Sequence, residues 1–207
     1  KACVRFSSLV YGTVRFLIIR LKAFNQMSKE VTIRRNCIAT LIPSGEEVTL
    51  AEGATYSVAQ SLGNSVTLRD LNGLYRVGEN ELDALGQEIK DQVLGSQQKE
   101  EPSGPFGEDL LWDALRGCYD PEIPLNIVDL GLVYDLRVEG DEGQRQVFVK
   151  MTLTAQGCGM GPVIADDAKT RIANLDGVSE ASVDIVWDPP WNPKMISEEG
   201  KKILGLE

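Results

Sequence analysis

At 207 residues the chain is long enough for two modest domains, and 43% hydrophobic content supplies core material for both. Its net charge of -10 repels phosphate backbones, and the acidic part holds no basic patch able to reverse that field, so nucleic acid is not an expected partner. Histidine is absent, which removes Ser-His and Cys-His catalytic pairs, His-ligated zinc and any imidazole pH switch. The four cysteines, Cys3, Cys37, Cys118 and Cys158, form no C-x-x-C pair, so neither a four-thiolate zinc site nor a dithiol redox motif is written locally. They read as reduced thiols, and the expected location is the cytoplasm.

Residues 1–26 carry Lys1, Arg5, Arg15, Arg20 and Lys22 with no acid, leaving the remainder at -15. The apolar run Phe16 to Ile19 is flanked by Arg15 and Arg20 and falls far short of the roughly 20 residues of a membrane span, so no membrane association is expected. No small-residue cleavage site follows it. Met27 is the first methionine, and patterned sequence begins just after it. Residues 1–26 are therefore expected to be an upstream extension or leader outside the fold.

From Val31 to about Leu85 short β-prone runs alternate with turn signals: Pro43-Ser44-Gly45, Glu52-Gly53, Gly63-Asn64, Asn72-Gly73 and Gly78. Val48 and Leu50, Tyr56 and Val58, and Val66 and Leu68 recur at the two-residue period of half-buried strands. This predicts an N-terminal all-β sandwich or barrel-like domain over residues 28–87. Residues 88–107 turn to Gln, Lys, Glu, Ser, Gly and Pro and read as a solvated linker, although Leu82, Leu85, Ile89 and Val93 at helical spacing let a helix run into its start.

Residues 108–207 read as an α+β domain. Leu110, Leu111, Ala114 and Leu115 form a helical stripe that stops at Gly117, and Asp120-Pro121 and Ile123-Pro124 then force extended chain. Val133 to Val138 and Val147 to Leu153 predict a hairpin, and Val178 to Trp187 a third strand. Between them Pro162 marks a helix start, with Ile164, Ala168, Ile172 and Leu175 on one face, and a short helix near Ser197 to Leu204 ends the chain. The order predicts a small mixed sheet with helices on one face.

The loop Thr154-Ala155-Gln156-Gly157-Cys158-Gly159-Met160-Gly161-Pro162 places one thiol among three glycines between a strand and a helix. Glycines leave the sulfur approachable, and a helix N-terminus nearby favours the thiolate that soft iron or a cluster requires. Gly157, Gly159 and Gly161 do not match a G-x-G-x-x-G phosphate cradle and no Gly-Lys-Ser/Thr follows, so no nucleotide is expected. Without histidine, nucleophilic catalysis by Cys158 would rest on a carboxylate such as Asp120, Asp129, Asp166 or Asp167, which argues against an enzyme. Asp120, Glu122 and Asp129 read as caps and turn formers rather than a paired acid site.

The run from Asp120 to Tyr134, Asp-Pro-Glu-Ile-Pro-Leu-Asn-Ile-Val-Asp-Leu-Gly-Leu-Val-Tyr, resembles the signature of the MIP18-like family, found in cytosolic iron–sulfur assembly factors and in the PaaD protein of phenylacetate degradation. Thr152-Leu153-Thr154, the Gly157 to Gly161 loop and Trp187-Asp188-Pro189-Pro190-Trp191 are similar to the SufT branch, whose bacterial members carry an extra N-terminal domain. The resemblance covers about Val31 to Leu206 and implies an auxiliary role in iron–sulfur protein maturation, with a reactive cysteine at Cys158. Many members have Gly-Cys-Pro where this chain has Gly-Cys-Gly, so their loop geometry is not carried over.

The resulting expectation is a non-catalytic accessory factor that carries an iron–sulfur cluster transiently through Cys158, with Gly157, Gly159 and Gly161 around it and Asp120, Asp129, Thr154 and Trp191 shaping the site. One thiolate does not saturate a cluster, so the remaining ligands come from a scaffold or carrier protein, an apo iron–sulfur protein, a second copy or a small thiol. The alternative is an adaptor that docks recipient proteins to the assembly machinery without binding a cluster.

Overall fold

The computed structural model describes residues 29–97 and 106–206. The expected extension 1–26 and the stretch 98–105 of the expected linker lie outside them.

Six strands form the first unit: β1 (Glu30–Thr32), β2 (Cys37–Ile42), β3 (Glu47–Leu50), β4 (Thr55–Leu62), β5 (Ser65–Arg69) and β6 (Leu74–Val77). All neighbours are antiparallel in the order β1-β4-β5-β6-β2-β3, a single sheet. Three of the turn signals close hairpins, Pro43-Ser44-Gly45, Gly63-Asn64 and Asn72-Gly73, whereas Glu52-Gly53 joins β3 to β4, which do not pair, and Gly78 leads out of β6 into a 3-10 segment. Gly63-Asn64 makes a two-residue connection between Leu62 and Ser65. The Asp70 carboxylate accepts from the N–H groups of Asn72 (2.7 Å) and Gly73 (3.0 Å), which closes the β5–β6 turn.

This unit is not all-β. A 3-10 segment, Glu79–Leu85, and helix α1, Gln87–Gln97, follow β6. They bury Leu82, Leu85 and Val93 with Ile33, Val66, Leu68 and Val77 in one core. Leu82, Leu85, Ile89 and Val93, whose spacing let a helix run into the linker, lie on two elements, because Gly86 at φ 104° separates the 3-10 segment from α1. The expected linker therefore opens with helix, because Val93 has a core to bury against.

The second unit contains α2 (Glu108–Arg116), β7 (Val133–Glu139), β8 (Arg145–Met151), α3 (Gly161–Ala173), β9 (Val178–Ile185), a 3-10 turn (Pro193–Met195) and α4 (Glu198–Leu204). β8 pairs antiparallel with β7 and parallel with β9, giving the mixed sheet, and α3 is the crossover that parallel pairing requires. Leu111, Ala114 and Leu115 of α2 and Ile164, Ala168 and Ile172 of α3 share a core with Val147, Val149 and Met151 of β8.

The two units touch. Ile42, 5% exposed, packs in the core of the second unit, and Leu74, its register partner, packs against it. Thr67 on β5 is buried because the face opposite Val66 and Leu68 lies on Pro121, whose carbonyl accepts from the Thr67 hydroxyl at 3.4 Å.

Candidate functional site

Three segments far apart in sequence meet at one end of the β7–β8–β9 sheet. Val133 begins β7 opposite Met151, which ends β8, and Met151 pairs with Ile185, which ends β9. The run Asp120 to Leu132, the Cys158 loop and the segment after Ile185 consequently leave the sheet at the same edge, outside the carboxyl ends of its parallel strands.

The Cys158 loop runs from Thr152, buried, through half-buried Thr154 to the start of α3 at Gly161. Cys158 is half-buried, with its side chain against the second core. Its carbonyl accepts from the Gly161 N–H at 3.2 Å, which joins the loop to the first turn of α3. Gly161, not Pro162, is the first helical residue, and proline takes the second position.

The three glycines have three different causes. Gly157 has φ 77° with open space around it, so the turn itself selects glycine. A Cβ on Gly161 would meet Leu153 Cδ1 at 2.6 Å and Ile185 Cδ1 at 3.3 Å, so that glycine admits the strand ends to the helix. A Cβ on Gly159 would overlap the Ser44 carbonyl of the β2–β3 turn. Sequence reasoning assigned all three to access to the sulfur; the structure gives Gly159 a packing role against the first unit.

The acidic residues shape the turns. Asp120, 6% exposed, accepts at Oδ1 from the N–H groups of Glu122 (2.8 Å) and Ile123 (2.9 Å). Asp129 accepts at Oδ2 from the Asn126 amide (2.6 Å) and at Oδ1 from the Ser197 hydroxyl (2.8 Å). The Asp120 carboxylate thus holds the backbone of its own turn, whereas that of Asp129 ties a neighbouring side chain to the residue that caps α4. Trp191 donates from Nε1 to the Leu130 carbonyl at 2.7 Å and packs against the second core. The Tyr134 hydroxyl donates to the Pro189 carbonyl at 2.9 Å. Together these bonds fasten the segment after β9 to the signature turn and β7.

The other described thiols are sealed. Cys37 (2% exposed) lies in the first core and Cys118 (0%) in the second. Burial raises both thiol pKa values, that of Cys118 well above the ordinary range. Among the described residues no three Cys, Asp or Glu side chains converge as a metal site.

A family profile described as "Iron-sulfur cluster assembly protein" matches residues 108–185. The chain is 47% identical over 87 residues to the "Fe-S protein maturation auxiliary factor SufT" of Staphylococcus aureus, an alignment covering 96% of that protein and 42% of this one. The chain belongs to this iron–sulfur cluster assembly family. A second relative, the "Fe-S protein maturation auxiliary factor YitW" of Bacillus subtilis, is 40% identical over 97 residues, which is 92% of its length and 47% of this chain. A solved structure from Bacillus anthracis, titled as a domain of unknown function DUF59, is 33% identical and covers 55% of this chain and 99% of its own, with a TM-score of 0.44. The matched family region holds the Asp120 turn, the Cys158 loop and all three strands of the mixed sheet, so the six-stranded unit lies outside it.

Pro43, Ser44, Gly45, Asn126 and Ser197 were not marked by sequence reasoning as parts of this site. Ser197 carried a legible signal, a serine just before a helical run. Pro43-Ser44-Gly45 showed only a hairpin turn, and nothing local says that this turn reaches Gly159 in the Cys158 loop.

Proposed function

We propose that the chain is an auxiliary factor in the maturation of iron–sulfur proteins and acts as a transient carrier, presenting Cys158 as one ligand of a cluster that is passed on. The supporting observation is that Cys158 is the one described thiol outside the sealed cores, on a loop at the sheet edge where the family signature also lies. The cluster is cargo. Cys37 and Cys118 sit inside cores and cannot join it without unfolding, so the remaining ligands come from a scaffold or carrier protein, an apo-target, a second copy or a small thiol. The names of the two relatives support an accessory role in place of catalysis. No described helix is long and apolar enough to cross a membrane.

The test is Cys158→Ser, which keeps the size and removes the soft ligand. In cells lacking the wild-type copy, activity of an iron–sulfur enzyme such as aconitase is expected to be lost with Cys158→Ser and kept with Cys37→Ser and Cys118→Ser at equal protein level. Anaerobic reconstitution should give visible cluster absorption that disappears in Cys158→Ser. Full activity of Cys158→Ser would overturn carriage and leave an adaptor that docks apo-targets to the assembly machinery.

A further inference from the structure

Besides the packing of Ile42 and Leu74 on the second core, the described residues of the first unit approach the second at three further places, and two of these lie on the segments that carry the candidate site. At the first, the β2–β3 turn reaches the Cys158 loop: the Gly159 N–H donates to the Pro43 carbonyl at 3.0 Å. The approach is backbone to backbone. A Cβ on Gly45 would overlap the Gly159 carbonyl, and a Cβ on Gly159 would overlap the Ser44 carbonyl. At the second, Gln60 Nε2 donates to the Asp120 carbonyl at 3.0 Å, beside the Thr67 bond to Pro121. At the third, a Cβ on Gly63 would lie 3.1 Å from the Gly117 carbonyl and 3.3 Å from Arg171 Nη2.

The turn holding Gly159 is built for that position. Gly45 N–H donates to the Leu41 carbonyl and Leu41 N–H to the Glu46 carbonyl, both at 2.8 Å, so the hairpin end is closed by its own bonds. Gly45 takes φ 78°, which a side chain disfavours. Ile42, immediately before the turn, is anchored in the second core, so the turn is held over the loop from one side.

One Arg171 atom beside the Gly63 approach is left without a partner. Arg171 Nη2 is buried with no hydrogen-bond partner, although Arg171 Nε pairs with Asp167 at 3.1 Å. Opening the contact between the units returns that group to water, which lowers the cost of separation.

We infer that the Pro43-Ser44-Gly45 turn is a built-in cover for Cys158: seated on Gly159 it holds the loop and restricts approach to the thiol, and it lifts when a protein partner takes the loop. The occupied place is the backbone N–H of Gly159, between Cys158 and Met160, and a carbonyl of an extended partner segment would replace that of Pro43 there. This gives the six-stranded unit, which the family match does not cover, a task at the family site. The inference rests on the reading of Cys158 as the working thiol only for its consequence; the cover itself is measured without any cluster.

The experiment is the rate of Cys158 alkylation by iodoacetamide in the full folded chain, followed by peptide mass spectrometry so that each cysteine is counted separately. Gly159→Ala places a methyl group against the Ser44 carbonyl and is expected to raise the rate about tenfold or more, the loss of one or two bonds' worth of closure. Gln60→Ala with Thr67→Val loosens the second seat without altering the loop, and is expected to raise it several-fold, of the order of one lost bond. If Gly159→Ala does not fold, the second variant decides. Unchanged rates in folded protein would overturn the cover. Raised rates together with an active Cys158→Ser variant would retain the cover and reject the carrier reading.

Discussion

The Ser197 hydroxyl donates to the Asp129 carboxylate at 2.8 Å, and the Ser197 N–H donates to the Asp129 carbonyl at 2.9 Å. The same hydroxyl accepts from the Gly200 N–H at 2.9 Å, so the N-cap of α4 is also the tie that holds the signature turn. This makes the terminal helix part of the site's scaffold.

Asp129→Ala should therefore cost about 1–3 kcal/mol of stability, because the partly buried Asn126 amide and Ser197 hydroxyl lose their shared acceptor. Ser197→Ala should cost about 1 kcal/mol as a lost cap. Urea unfolding of both single variants and the double variant is expected to show a double cost below the sum, since the two residues serve one network.

Asp120 separates shape from charge. Asp120→Asn keeps an oxygen for the Glu122 and Ile123 N–H groups and should change the melting temperature little, whereas Asp120→Ala should cost about 1–2 kcal/mol. Iron–sulfur enzyme activity in cells should follow the same order. A ligand role for the carboxylate would instead make the asparagine variant inactive while it remained stable.

The buried thiol of Cys118 bears on alkaline stability. Burial raises its folded-state pKa above the unfolded value, so its contribution is fully present below about pH 8.5 and is lost as pH rises toward the folded value. Cys118→Ala is expected to be less stable at neutral pH but to lose less on going from pH 8 to pH 10. Urea midpoints across that range, compared with wild type, isolate this thiol from the tyrosines that titrate nearby.

Trp191→Phe should cost about 1 kcal/mol through the lost bond to the Leu130 carbonyl, and Trp191→Ala more, through lost packing. Maturation activity is expected to fall further than the melting temperature accounts for, because Trp191 fastens the segment after β9 to the signature turn. Losses that track stability alone would make it a packing residue.

The local pattern determined much of this protein. The stripes Leu110, Leu111, Ala114, Leu115 and Ile164, Ala168, Ile172, Leu175 were legible because a helix repeats its buried face every three or four residues; all are buried except Leu110 and Leu175, which are half-buried at the margins of that face. The strands of the mixed sheet and the loop around Cys158 were legible for the same reason, bounded by turn residues that act on their own neighbours. Tertiary structure alone decided the rest. Thr67 is 3% exposed because Pro121 covers it, Gly159 is glycine because Ser44 lies against it, and Asp129 is tied to Ser197. Each depends on a residue distant in the chain, and a contact between backbones far apart in sequence leaves no periodicity, spacing or composition at either end to announce it.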